Sequence, residues 1–93
     1  MPGRALGGRV AVVTGAAGGI GRVLVQALLA EGAGVAALDL SAEGLTALRD
    51  GVPAEAANRL LVRTTDISDY AACRSAVADA IAVLGGLHIL INN

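Results

Sequence analysis

Two consecutive stretches decide how this chain folds: Arg9-Val-Ala-Val-Val-Thr14 and, directly after it, Gly15-Ala-Ala-Gly-Gly-Ile-Gly21. The first is an apolar, β-branched run between Gly7-Gly8 and Gly15, the pattern of a strand buried on both faces of a parallel sheet. The second is a turn in which glycine permits backbone angles and close approaches that a side chain forbids. Beyond it the chain reads as helix to about Glu31, with Ile20, Val23, Leu24, Ala27 and Leu28 spaced to share one face. Gly32 and Gly34 supply the stop. A helix N-terminus presents unpaired N–H groups and roughly half a positive charge, so strand, glycine turn and helix together make an anion cradle.

The same alternation continues outward. Gly34-Val-Ala-Ala-Leu-Asp39 is a second strand ending in an acid, and Ser41 caps a short helix through Asp50 that Gly51-Val-Pro53 breaks. Arg59–Thr65 reads as a third strand. Ser68 is the expected cap of the next helix, where Cys73, Val77, Ala80, Ile81 and Leu84 make an apolar stripe that Gly85-Gly86 ends. Leu87–Ile91 is a fourth strand ahead of Asn92-Asn93. The order β-α-β-α-β-α-β with short connections predicts an α/β domain over residues 1–93, with parallel strands, right-handed crossovers and helices on both faces. It is one half of a doubly wound Rossmann fold.

Composition sets further bounds. The 93 residues are 55% hydrophobic, with 20 Ala and 13 Gly but one Tyr and no Phe or Trp, so any core is built from small aliphatic units. A chain this short buries only ~60–65% of the surface its unfolded form exposes, which suits an internal sheet layer better than a free-standing miniature fold. Seven basic residues, all Arg and spread singly from Arg4 to Arg74, oppose eight acids, leaving no basic stripe for nucleic acid. The lone Cys73 forms no internal disulfide, and no Cys/His cluster has zinc spacing. The lack of Lys removes Schiff-base, P-loop and Lys-assisted acid–base chemistry from these residues. Met1-Pro-Gly-Arg4 carries no apolar leader, and the longest uncharged run, Ala80–Asn93, is too short to span a bilayer. A cytoplasmic protein without a membrane or nucleic-acid partner is expected.

The glycine spacing is Gly15-x-x-x-Gly19-x-Gly21, with Gly18 in addition. It departs from G-x-G-x-x-G because Leu24 stands where a third glycine of that form would fall, and it lacks the Gly-Lys-Ser/Thr of a P-loop. Asp39 lies 18 residues after Gly21, where an acid accepts hydrogen bonds from the adenosine ribose hydroxyls of a dinucleotide. Its charge repels a 2′-phosphate, and its neighbours Leu38, Leu40 and Ser41 offer no cation, so NAD is expected rather than NADP. Asp66-Ile67 follow the third strand at the carboxyl edge, where a carboxylate can accept from the adenine amino group and the Ile67 backbone can read the ring. The plainer readings are an ordinary βα turn and capping or solvated acids. An S-adenosylmethionine site is disfavoured, since Val13-Thr14 stand where that ligand's loop would be preceded by an acid.

Taken together, Thr14-Gly-Ala-Ala-Gly-Gly-Ile-Gly21, Asp39, Asp66-Ile-Ser-Asp69 and Leu87-His-Ile-Leu-Ile-Asn-Asn93 resemble the N-terminal half of a short-chain dehydrogenase/reductase, over essentially the whole chain after the first eight residues. The resemblance implies strand order 3-2-1-4 and hydride transfer between nicotinamide and an alcohol or carbonyl substrate. By position, Gly15, Gly19, Ile20 and Gly21 would hold the pyrophosphate, with Ala17 and Gly18 in the same loop. Asp39 would bind the adenosine ribose, Asp66 and Ile67 the adenine, and the Asn93 backbone would lie near the nicotinamide ribose, with Leu40 a further cofactor-binding residue. The family's Asn-Asn motif usually continues into Ala-Gly, beyond Asn93.

The family's proton relay is a Tyr with a Lys four residues later, assisted by a Ser. Tyr70-Ala-Ala-Cys-Arg74 has that spacing, but it carries Arg and precedes the fourth strand, so Tyr70 is read as a helix-surface residue near the adenine end. No catalytic residue is assigned, and the 93 residues alone are expected to be inactive. His88 stands where the family commonly has a sheet-stabilising Asp and is read as structural or solvated; Cys73 is read as a buried small hydrophobe. The fourth strand would be an apolar edge, so the isolated chain is expected to associate or fold weakly, and the full-length protein to be a homo-oligomer. The alternative is a non-catalytic nucleotide-binding module or partner subunit that completes another chain's sheet.

Overall fold

A computed structural model describes residues 5–93; Met1–Arg4, on which the expectation about a leader rests, lie outside the described residues. Four strands form one parallel sheet: β1 (Val10–Thr14), β2 (Gly34–Asp39), β3 (Leu60–Thr64) and β4 (Ile89–Ile91), in the order β3-β2-β1-β4. The helices are α1 (Gly19–Ala30), α2 (Ala42–Asp50), a single turn α3 (Ala54–Ala57) and α4 (Tyr70–Leu84). The expected topology and strand order are therefore observed. The first, third and fourth strands are shorter than expected, and α3, entered from Pro53, is an addition to the expected elements.

Side-chain alternation along the strands divides the core in two. Val13, Val35 and Ala37 face α1 and α2 and pack against Val25, Leu29, Leu45 and Leu48. Val12, Ala36 and Leu38 face the other way, onto Ala76 and Ala80 of α4. β1 is buried along its whole length, as a central strand must be, whereas Leu90 on the edge strand β4 is 58% exposed. Each fully buried Val or Leu stabilises the fold by roughly 1.5–3 kcal/mol.

Two helix faces differ from the expected ones. On α1 the buried residues are Gly21, Val25 and Leu29, while Ile20 and Val23 are 71% and 65% exposed and Leu24 and Leu28 lie half-buried on the flank. The cause is Gly21. A Cβ there would overlap the Gly15 carbonyl and the Ala16 Cα, so the helix rests glycine-first on the turn, and that contact fixes its rotation. On α4 the buried positions are Ala76 and Ala80, small enough to bring the helix close to the sheet, with Leu84 packed alongside. Cys73 and Val77 are half-buried and Ile81 is 48% exposed, so Cys73 is not the buried hydrophobe expected. These three, with Arg74 and Ala78, line an apolar surface groove.

His88 is structural. Its Nδ1 accepts the Val10 N–H at 2.9 Å while its own backbone N–H donates to the Val10 carbonyl, so the imidazole extends the β1–β4 ladder by one rung at its amino end.

Candidate dinucleotide cleft

The cleft lies where the carboxyl ends of the strands meet, and it is lined by Gly15, Asp39, Leu40, Thr65, Ile67 and Asn93. Two features of opposite sign adjoin it, the α1 terminus that follows Gly15 and the Asp39 carboxylate, and both follow from local sequence.

The first is the N-terminus of α1. α2 and α4 are capped by side chains, Ser41 accepting from the Gly44 N–H and Asp69 from the Ala72 N–H. Asp69, not Ser68, is thus the cap of α4. α1 has neither a side-chain cap nor an acid in its first turn. Its first N–H groups, on Gly19, Ile20 and Gly21, precede the first helical bond from Arg22 N–H to the Gly18 carbonyl. Gly15, at φ +62°, turns the chain sharply into this segment, and Gly18, Gly19 and Ile20 are exposed. The result is a half-positive helix end with open backbone around it, the setting that suits a phosphate.

The second is Asp39. Its Oδ2 accepts the Ala17 N–H at 3.0 Å and its Oδ1 the Ser41 N–H at 2.9 Å. The carboxylate is half-buried and fixed in orientation, with lone pairs on both oxygens still unfilled. Two adjacent hydroxyls are the natural complement of such a group.

Asp66 is exposed and is not part of the cleft lining, although its neighbours Thr65 and Ile67 are. Its Oδ1 accepts from both the hydroxyl and the N–H of Ser68, and these bonds hold its carboxyl below the usual value, the hydroxyl contributing most. The Ile67 side chain is 56% exposed, and its carbonyl accepts from the Cys73 thiol at 3.4 Å. Asn93 is tied to the glycine turn: its N–H donates to Thr14 Oγ1 at 3.1 Å and its Nδ2 to the Gly15 carbonyl at 3.2 Å. Tyr70 opens α4 at 75% exposure, with the Arg74 guanidinium 6.0 Å from its ring centroid.

Gly15, Asp39, Leu40, Ile67 and Asn93 thus share one cleft; Ala17 is joined to it by its bond to Asp39, and Gly18 and Gly21 by their contacts with the Gly15 carbonyl, while Gly19 and Ile20 lie outside the lining. The structure adds two residues that sequence reasoning missed. Thr14 is buried and links Asn93 to the Ile91 carbonyl through its hydroxyl. Thr65 is buried and donates its N–H to the Asp39 carbonyl. Thr14 sits within the quoted motif and was readable; nothing in the sequence sets Thr65 apart from Thr64. Among the described residues no group of three acids, His or Cys is placed to hold a metal, and no helix is long and apolar enough to cross a membrane.

Residues 9–93 match the short chain dehydrogenase family. The chain is 38% identical to a probable galactose dehydrogenase of Rhizobium meliloti (strain 1021), over 91% of this chain and 33% of that protein. It is 39% identical to a 2-dehydro-3-deoxy-L-rhamnonate dehydrogenase (NAD(+)) of Sphingomonas sp. (strain SKA58), over 90% of this chain and 32% of the relative. Among solved structures it superimposes on a 3-ketoacyl-(acyl-carrier-protein) reductase from Brucella melitensis complexed with NADH. That match has a TM-score of 0.81 and 30% identity, covering 91% of this chain and 33% of the reductase. The chain spans about a third of the length of the curated relatives it matches.

Proposed function

The chain belongs to the short chain dehydrogenase family, and from that premise we propose that residues 1–93 are the cofactor-binding part of an NAD-dependent oxidoreductase acting on an alcohol or carbonyl substrate. The observation that carries the reading is the pairing of an uncapped, acid-free α1 terminus with the pre-oriented carboxylate of Asp39 beside one cleft. The donor set fits a dinucleotide: N–H groups for a pyrophosphate at Gly19, Ile20 and Gly21, with Gly15 and Gly18 keeping the approach open, and a fixed acceptor for a ribose diol at Asp39.

When bound, the nicotinamide supplies the hydride chemistry, and the protein orients it. Asp39 holds the adenosine ribose and excludes a 2′-phosphate by charge. Leu40 and Ile67 flank the adenine, with the free Oδ2 of Asp66 as acceptor for its amino group. Asn93, fixed by Thr14 and Gly15, sets the backbone beside the nicotinamide ribose. The substrate pocket and proton relay belong to further chain, in keeping with the one-third coverage of the relatives. We place the protein in the cytoplasm as part of this proposal, and the exposed Ile20, Val23, Val83 and Leu90 suit burial in a larger, oligomeric protein.

Calorimetric titration of the native gene product with NAD and NADP tests this. NAD should bind the more tightly by at least about tenfold. NADP binding equally well overturns the assigned role of Asp39, and binding of neither overturns the site.

A further inference from the structure

Resting on the reading of the cleft as a dinucleotide site, we propose that Gly44, on the first turn of α2 and outside the glycine turn, is a positioning residue for that site. It lets α2 press against Ala17 and so holds the Ala17 N–H on the Asp39 carboxylate.

The contacts form a closed circuit. Ala17 N–H donates to Asp39 Oδ2, and Ser41 N–H donates to Asp39 Oδ1. The Ser41 hydroxyl accepts from the Gly44 N–H at 2.9 Å, which seats the first turn of α2. The circuit closes by contact, because a Cβ on Gly44 would lie 2.6 Å from the Ala17 Cβ and 3.0 Å from Ser41 Oγ. The Ala17 methyl has no torsion that could swing it aside, so relief requires moving either the turn backbone or the helix. Moving α2 disturbs Leu45 and Leu48, both buried in the core, whereas the half-exposed turn around Ala17 is the softer side. A side chain at position 44 therefore pushes Ala17 off Asp39, freeing the carboxylate to rotate and shifting the loop that faces the pyrophosphate. Gly44 acts through Ala17 and Asp39 and touches no ligand itself.

Helix propensity points the opposite way. Gly44 is the third residue of α2, and by helix propensity alone Ala would be the better residue. A loss on Gly44→Ala therefore comes from the contact with Ala17 and not from the helix itself. Removing the Ala17 methyl separates the two.

The test is a double-mutant cycle in the native gene product, with Gly44→Ala, Ala17→Gly and the pair together, read by calorimetric binding of NAD and of ADP-ribose. Gly44→Ala should weaken both ligands by about tenfold, the order of one misplaced charge-assisted contact, and the clash with Ala17 should lower the thermal midpoint without ligand. On the Ala17→Gly background, which removes the opposing methyl and leaves only the contact with Ser41 Oγ, the same substitution should lose most of its effect on affinity. A Gly44→Ala protein that binds like wild type overturns the proposal, and so does an equal weakening whether or not the Ala17 methyl stands opposite. Amide exchange at Ala17, faster in Gly44→Ala than in wild type, gives a readout without ligand. If wild type binds neither ligand, the cleft reading falls, and unchanged exchange at Ala17 then overturns the positioning role as well.

Discussion

Replacing Asp39 by Ala removes one side chain that serves two purposes, and the structure separates their sizes. In the protein without ligand, two N–H groups lose their acceptor. The Ser41 N–H is exposed and turns to water at little cost. The Ala17 N–H is part-buried, so its loss falls at the low end of the range for an unsatisfied donor, about 1 kcal/mol. With NAD present, the ribose hydroxyls lose a charged acceptor, worth ~1–2 kcal/mol net, or a roughly 5–30-fold weaker affinity. NADP responds differently, since deleting the carboxylate also deletes its repulsion of a 2′-phosphate. Its affinity should hold or improve, and the preference for NAD should collapse. Calorimetry with both cofactors measures the second effect, and urea unfolding without ligand measures the first. Asp39→Asn is the control: it keeps one neutral acceptor and should lose less stability than Ala, while still losing the discrimination. An Asp39→Ala protein that binds NAD within about twofold of wild type and still rejects NADP refutes the assigned role of this carboxylate.

Two further outcomes follow from single contacts. His88→Leu removes the acceptor of the part-buried Val10 N–H and should destabilise the sheet by about 1–2 kcal/mol, whereas His88→Asp, which keeps an acceptor there, should lose far less; equal losses in urea unfolding would show the ladder contact to be unimportant. Ser68→Ala should raise the Asp66 carboxyl midpoint toward its ordinary 3.8, followed by NMR titration. Because that midpoint is lowered in the folded protein, the Ser68–Asp66 contribution to stability is present above about pH 4 and lost as pH falls through the folded value, so the variant's stability should depend less steeply on acid; an unmoved midpoint would remove the hydroxyl as the cause.

The order of elements was legible because each carries a strong local signal. β1 is β-branched and flanked by glycine, Ser41 caps α2, and Gly85, at φ +94°, stops α4. The parallel sheet follows from the helix between each strand and the next, and the central place of β1 from its uninterrupted apolar run. Asp39 could be singled out because an acid closing an apolar strand has no place in the core. The caps at Asp69 and Ser68 were interchangeable in sequence, since either side chain can accept from a first-turn N–H; only the position of Asp66 drew Ser68 into its own turn and left Asp69 to α4.

Which helix face is buried was decided in three dimensions. Apolar spacing on α1 fits two adjacent faces, because Ala, Val and Leu occur nearly all round it. Periodicity weighs hydrophobic side chains and gives no weight to a residue that has none. The choice fell to Gly21, whose missing Cβ admits the Gly15 carbonyl and turns Val25 and Leu29 inward. The same holds at Gly44, unremarkable in sequence, where Ala17 fills the space that a side chain would have taken. The sequence by itself thus determined the elements, their order and the charged group at the end of β2, all of which are written in local composition. Only the tertiary structure decided the rotation of α1 and the seating of α2 on the glycine turn, because those depend on close contacts between segments that sequence spacing does not measure.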